Sequence, residues 1–224
     1  MEIHKYFGGW MKAIEEKQLY KVVNDINRLY ASSEVMPAYN NIFEAFRDCD
    51  YDSCKVVCLG QDPYPQEGVA TGIAFANKAN TSVISPSLKV FIESIRTLYD
   101  FQLSDFDLTL ESLSEQGVLM LNSALTCEKD KPGSHAAIWR AFMASFLCNL
   151  SIMNTGIVYI LFGNQAQSYE KYISETGNLI LKENHPAFFA RTNTEMPNKV
   201  FKQANEWIIK QYGQPINWFS YGAD

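Results

Sequence analysis

The chain has 224 residues, 47% of them apolar and 20% charged, and a net charge of −6 at pH 7. That length can bury one substantial core, and no linker, low-complexity tract or internal repeat divides it, so one domain over residues 1–224 is expected. The acidity counts against a duplex binder of the usual basic kind. No run approaches the roughly 20 apolar residues of a membrane span, and the N-terminus lacks the pattern of a signal peptide, so a soluble, cytoplasmic chain with no membrane partner is expected.

In chain order, Leu19, Val22, Val23, Ile26 and Leu29 fall at helical spacing and predict a helical layer through Ser33. Val56–Leu59 reads as a buried strand, ended abruptly by Gly60-Gln61-Asp62-Pro63-Tyr64-Pro65. Leu88, Phe91, Ile92, Ile95 and Leu98 make a helical stripe. Gly117–Leu121 is a second buried run, ending in Asn122-Ser123, and Trp139, Phe142, Met143, Phe146 and Leu150 make a second stripe. Gly156–Phe162 is a third run, ending in Gly163-Asn164-Gln165. Asn178–Leu181 is a fourth, running into His185-Pro186, and Val200, Phe201, Ala204 and Ile208 predict a final helix. Buried strands alternating with helices imply a parallel sheet covered on both faces. Ligands bind such sheets at the carboxyl ends of the strands, which brings Asp62, Asn122, Asn164 and His185 toward one cleft.

The five cysteines are odd in number and form no Cys-x-x-Cys pair, and the three histidines are scattered. Reduced, buried thiols are expected, with no metal site. Pro63 and Pro65 stiffen the turn that carries Asp62 and Tyr64. A carboxylate held this rigidly suits catalysis, although Asp62 is also an ordinary turn former.

With these loops in hand, the chain resembles the family 1 uracil-DNA glycosylases from about Trp10 to Trp218. Gly60–Pro65 with Gly72–Ala76 resembles the water-activating loop, and Ser85-Pro86-Ser87-Leu88 the Pro-rich loop. Gly117–Thr126 resembles the uracil-recognition strand, Ser134-His135-Ala136 with Trp139 the segment after it, and His185–Ala190 the minor-groove loop. The resemblance implies a three-layer α/β/α fold around a central four-stranded parallel sheet, with no metal and no cofactor. It implies a monomer acting on uracil in single- or double-stranded DNA, with a protein inhibitor that mimics DNA as a further partner.

It also implies roles for particular residues. Asp62 would orient water and stabilise an oxocarbenium-like sugar, as glycosidase carboxylates do. His185 and the Gln61 N–H would bond uracil O2 as it gains charge. The Asn122 amide matches uracil's N3–H and O4. Phe75 would stack on the extruded base, and Tyr64 would exclude the thymine methyl. Ser87, Gly163, Asn164, Pro186, Ala187, Phe188 and Phe189 would contact DNA, with Phe189 as the wedge that replaces the flipped base. Each has a plain alternative: Asn122 as a strand-end cap, His185 as a satisfied loop histidine, Tyr64 and Phe75 as packing, and both phenylalanines folded into the core.

The chain departs from the family at three places. Pro65 stands where most members have histidine, although poxvirus-type relatives also carry proline. Asn164 and Ala187 stand where phosphate-gripping serines are usual, and Phe189 stands where leucine is usual. Lys129, Lys131 and Arg191 lie near the motif loops and offer a local positive face. Two other readings stay open: a family member recruited mainly as a DNA-binding or processivity subunit, and an unrelated α/β hydrolase. The latter would need a nucleophile or phosphate loop, and neither G-x-S-x-G nor a Walker pattern is present.

Overall fold

The computed structural model describes residues 3–79, 81, 83–99 and 105–219. The N-terminal layer holds α1 (Ile3–Phe7), a 3₁₀ turn at Gly8–Lys12, and α2 (Glu16–Ser32), which buries Leu19, Val22 and Ile26. A short strand β1 (Val35–Met36) and α3 (Glu44–Asp48) lead into β2 (Val56–Gly60). Then come α4 (Pro86–Arg96), α5 (Glu111–Ser114), β3 (Val118–Asn122) and β4 (Cys127–Glu128). The chain continues through α6 (Ala136–Met153), β5 (Val158–Phe162), α7 (Gly163–Gln167), β6 (Leu179–Glu183), α8 (Pro186–Thr192) and α9 (Lys199–Tyr212).

Four strands form a parallel sheet in the order β3-β2-β5-β6, and β1 pairs with β4 in a separate antiparallel ribbon. The alternation of strand side chains divides the core. Val57, Leu59, Leu119, Leu121, Tyr159 and Leu161 pack on the layer of α2, α3 and α6. Val56, Cys58, Val118, Met120, Val158 and Ile160 pack on α4 and α9. The three-layer α/β/α expectation describes this architecture. β2, β3 and β5 are buried at every residue, whereas the edge strand β6 buries only Leu181.

By length and composition α6 is apolar enough to cross a membrane, which the reading of apolar runs did not register. In the fold it is a core helix: Trp139, Phe142, Met143, Phe146, Leu147 and Leu150 are buried against the sheet and N-terminal layer. All five cysteines are free, and four of them are buried.

Because β2, β3 and β5 are parallel and in register, their carboxyl ends open on the same side. Gly60 lies opposite Asn122, and Leu59 opposite both Leu121 and Leu161. The loops after β2, β3 and β6 therefore meet above one edge of the sheet.

Candidate active site

A cavity of about 310 Å³ lies at this edge, in the size range of a small-ligand site. Gln61, Asp62, Tyr64, Phe75, Ser87, Asn122, His185 and Ala187 line it, together with Pro65, Pro132, Thr71 and Arg191. Among the candidate residues, Gly163, Asn164, Pro186, Phe188 and Phe189 lie outside its lining. Gly163 and Asn164 open α7 directly after β5, and Pro186, Phe188 and Phe189 lie on α8.

Gly60 makes the pocket geometrically feasible. A Cβ added there would lie 2.7 Å from Asn122 Oδ1 and 3.2 Å from Phe75 Cζ, so the strand end must be bare for both walls to close in. Asn122 is 6% exposed, yet no protein group hydrogen-bonds its amide among the described residues. Its amide therefore faces the cavity free of protein partners and can hydrogen-bond a molecule that enters. The strand-end-cap alternative would give that amide a backbone partner, and none is found among the described residues.

Asp62 is half-buried and accepts a hydrogen bond from the Gly133 N–H. Burial pushes its carboxyl above the usual carboxylate range, opposed by the Gly133 N–H and the Gln61 side chain. Its loop is anchored to the end of β3: Ala124 N–H and Ser123 Oγ both donate to the Gln61 carbonyl, at 3.0 and 2.8 Å, and Ser123 N–H donates to the Gly60 carbonyl at 3.0 Å. On the far side, the Asp130 N–H donates to the Pro65 carbonyl at 3.0 Å. The loop that carries the carboxylate is thus held by residues 123–133, which lie far from it in sequence.

Phe75 has a left-handed backbone, φ 66°, a conformation that a bulky residue rarely adopts. Phe91 stacks against its ring at 5.8 Å between centroids and Phe162 abuts it edge-on at 5.4 Å. The Tyr64 hydroxyl donates to the Phe75 carbonyl at 2.9 Å.

His185 caps α8. Its Nδ1 accepts the Ala187 N–H at 3.1 Å, which fixes the neutral tautomer with hydrogen on Nε2. Protonation of Nδ1 would break this cap. Burial, and secondarily the Arg191 charge, lower its pKa to about 4. Gly163 makes room for it: a Cβ there would come within 2.8 Å of His185 Cβ. His135 lies behind the site. Its Nδ1 is 3.0 Å from Thr126 Oγ1, which also accepts from Trp139 Nε1 at 2.8 Å. That network braces the segment carrying Gly133, and His135 does not line the cavity.

The two phenylalanines part company. Phe189 is 7% exposed and packs in the core cluster with Phe91, Met196 and Phe201, whereas Phe188 is 41% exposed. The expectation that Phe189 is the projecting wedge is corrected accordingly. Within one turn of α8 adjacent residues point about 100° apart, and the face of α8 that packs on α4 takes Phe189. The local positive face is corrected as well. Lys129 is held by Glu34 at 2.9 Å and Glu67 at 2.8 Å, and Lys131 pairs with Glu128 at 2.5 Å. Sequence reading missed Gly133 as a partner of Asp62, a contact with no signal in local pattern, and it noted Arg191 near the motif loops without placing it in the site.

The fold and the cavity together define an α/β enzyme whose site combines a carboxylate, a neutral histidine, an aromatic wall and an open amide. The description "Uracil DNA glycosylase superfamily" fits residues 46–209. A uracil-DNA glycosylase of Campylobacter jejuni subsp. jejuni is 34% identical over 221 residues, covering 93% of this chain and 92% of that protein. The crystal structure of mimivirus uracil-DNA glycosylase superposes with a TM-score of 0.76 at 20% identity, covering 95% of this chain and 90% of that one. A variant of the mimivirus protein in complex with UGI also has a TM-score of 0.76, at 23% identity, covering 86% and 79%. The chain belongs to the uracil-DNA glycosylase superfamily.

Proposed function

We propose that this chain is a family 1 uracil-DNA glycosylase, a cytoplasmic monomer acting on single- or double-stranded DNA. It hydrolyses the N-glycosidic bond of uracil in DNA, leaving an abasic site for base-excision repair. The observation that carries the reading of the site is the open amide of Asn122, facing a cavity that also holds Asp62, Phe75 and His185. With Oδ1 turned to N3–H and Nδ2 to O4 the amide complements uracil, and cytosine needs the reverse orientation.

The chemistry follows from charge. As the glycosidic bond breaks, the sugar becomes cationic and the base anionic. Asp62, a partly desolvated carboxylate, attracts the cationic sugar more strongly than it would in water and orients the attacking water. The Nε2–H of His185 donates to O2 of the departing base. A well-placed donor of this kind contributes about 2.7–4 kcal/mol to the transition state. Neutrality suits the task, because the ring donates a hydrogen bond and need not give up a proton. Phe75 stacks on the base and Tyr64 crowds C5. The base must be flipped out of a duplex to reach them, and Phe188 supplies the exposed apolar ring for the gap. Ser87, Gly163 and Asn164 are taken as DNA contacts around this cleft. A protein inhibitor that mimics DNA would cover the same loops, a reading supported by the mimivirus variant found with UGI.

The test is base choice. Oligonucleotides carrying uracil, cytosine or thymine are incubated with wild type and N122D, and abasic sites are counted. Wild type should release uracil alone, and N122D should gain release of cytosine. Release of cytosine by wild type, or unchanged choice in N122D, would remove Asn122 from recognition.

A further inference from the structure

The inference concerns Arg191 and rests on reading the cavity as the uracil site. Lys129, Lys131 and Arg191 are among the cations near the motif loops of this acidic chain. Two are neutralised locally, Lys129 by Glu34 and Glu67, and Lys131 by Glu128. Among the described residues Arg191 has no carboxylate partner, and it is the only Lys or Arg that lines the cavity.

Its position on α8 matters as much as its charge. Arg191 follows Ala187 by four residues, so the two share one face of the helix. Ala187 offers a phosphate nothing: its side chain is a methyl group, and its N–H is spent on His185 Nδ1. The start of α8 has no spare donors either. Pro186 lacks an N–H, and the Phe188 N–H is taken by the His185 carbonyl at 2.7 Å. A helix N-terminus that would otherwise attract an anion is closed. On this wall of the cavity, donors for a phosphate must come from Arg191.

We propose that Arg191 grips a backbone phosphodiester of the flipped nucleotide, doing with a guanidinium what this helix cannot do with hydroxyl or backbone donors. The planar fork binds two phosphate oxygens at once. Asp62 on the same cavity repels phosphate, so the single cation also decides on which side the backbone lies. The charge that grips the phosphate also disfavours protonation of His185.

The test uses the full chain, with R191A, R191Q and R191K, on a single-stranded uracil oligonucleotide across a salt series under single-turnover conditions. R191A and R191Q should weaken half-saturation by roughly tenfold or more at low salt, with the saturated cleavage rate within about threefold of wild type. The slope of log affinity against log salt should shrink by about 0.7, the value for one phosphate contact on a single strand. R191K should restore the slope and only part of the affinity, because a point charge replaces a fork. Inhibition by free uracil should be unchanged in all three. An unaltered salt slope in R191A and R191Q would overturn the proposal. So would a loss confined to the saturated rate, which would make Arg191 an electrostatic partner of the leaving base. Absence of uracil release by wild type would be a failure of the site reading itself, visible before any variant is compared.

Discussion

The Tyr64 hydroxyl donates to the backbone carbonyl of Phe75 across 2.9 Å, so two aromatic residues that line the cavity are tied into one piece. The bond joins residues 11 apart in sequence and helps hold the left-handed backbone at Phe75. Such strain costs about 1–3 kcal/mol and persists only when its surroundings enforce it.

Two variants separate the wall from the tie. Y64A should open space at C5 and give measurable thymine release from single-stranded DNA. Y64F keeps the bulk and loses the hydrogen bond, so it should still exclude thymine while cleaving uracil several-fold more slowly. Thymine release by Y64F with none by Y64A would reverse these roles.

The pH dependence follows from His185 and Asp62. The ring is neutral above about pH 4, held there by burial and by Arg191, so no requirement for protonated histidine should appear. In the proposed mechanism Asp62 acts ionised, and burial raises its pKa above the ordinary carboxylate value. The pH profile of kcat/KM should therefore rise as Asp62 ionises and then stay flat through neutrality. A fall near pH 6.5 that is absent in H185Q would mean that the imidazolium does the work.

His185 also affects stability. It takes its proton near pH 4 when folded and near its ordinary value of 6.5 when unfolded. Between these values the unfolded chain binds the extra proton, so stability drops as pH falls through that window. H185Q should flatten that part of the curve of Tm against pH.

Phe188 and Phe189 give opposite predictions. F188A should slow cleavage of duplex far more than of single strand, because only the duplex has a gap to fill. F189A should leave that ratio alone and destabilise the fold by about 3–5 kcal/mol, as truncation of a buried Phe does. The readouts are the duplex-to-single-strand rate ratio and thermal melting.

Much of this fold can be read from runs of apolar residues. The runs Val56–Leu59, Gly117–Leu121 and Gly156–Phe162 lie at β2, β3 and β5, because a strand buried on both faces leaves a continuous apolar signature. β6 begins within the fourth run but extends to Glu183, past its apolar part, because this edge, unlike the β3 edge, is only partly covered. The β1–β4 ribbon has no such signature: each strand is two residues long and pairs across 91 or more positions.

For the site, the rule that ligands gather at strand ends brings Asp62, Asn122 and His185 to one cavity, while Asn164 stays off its lining. What local pattern does not carry is pairing at a distance. Glu34 and Glu67 silence Lys129 from 95 and 62 residues away, and Gly133 reaches Asp62 from 71. The burial of Phe189 beside the exposed Phe188 depends on how α8 rests on α4, which neither segment encodes alone.

The central claim is that Asp62 drives uracil excision in this cavity. It is tested by single-turnover cleavage of a single-stranded uracil oligonucleotide, with a chelator present, by wild type and D62N. Wild type should convert the substrate to abasic sites. D62N should bind with similar affinity yet cleave at least about a hundredfold more slowly, the loss expected for one strong electrostatic interaction in the transition state. No abasic sites from wild type, or a D62N rate within tenfold of it, would contradict the account.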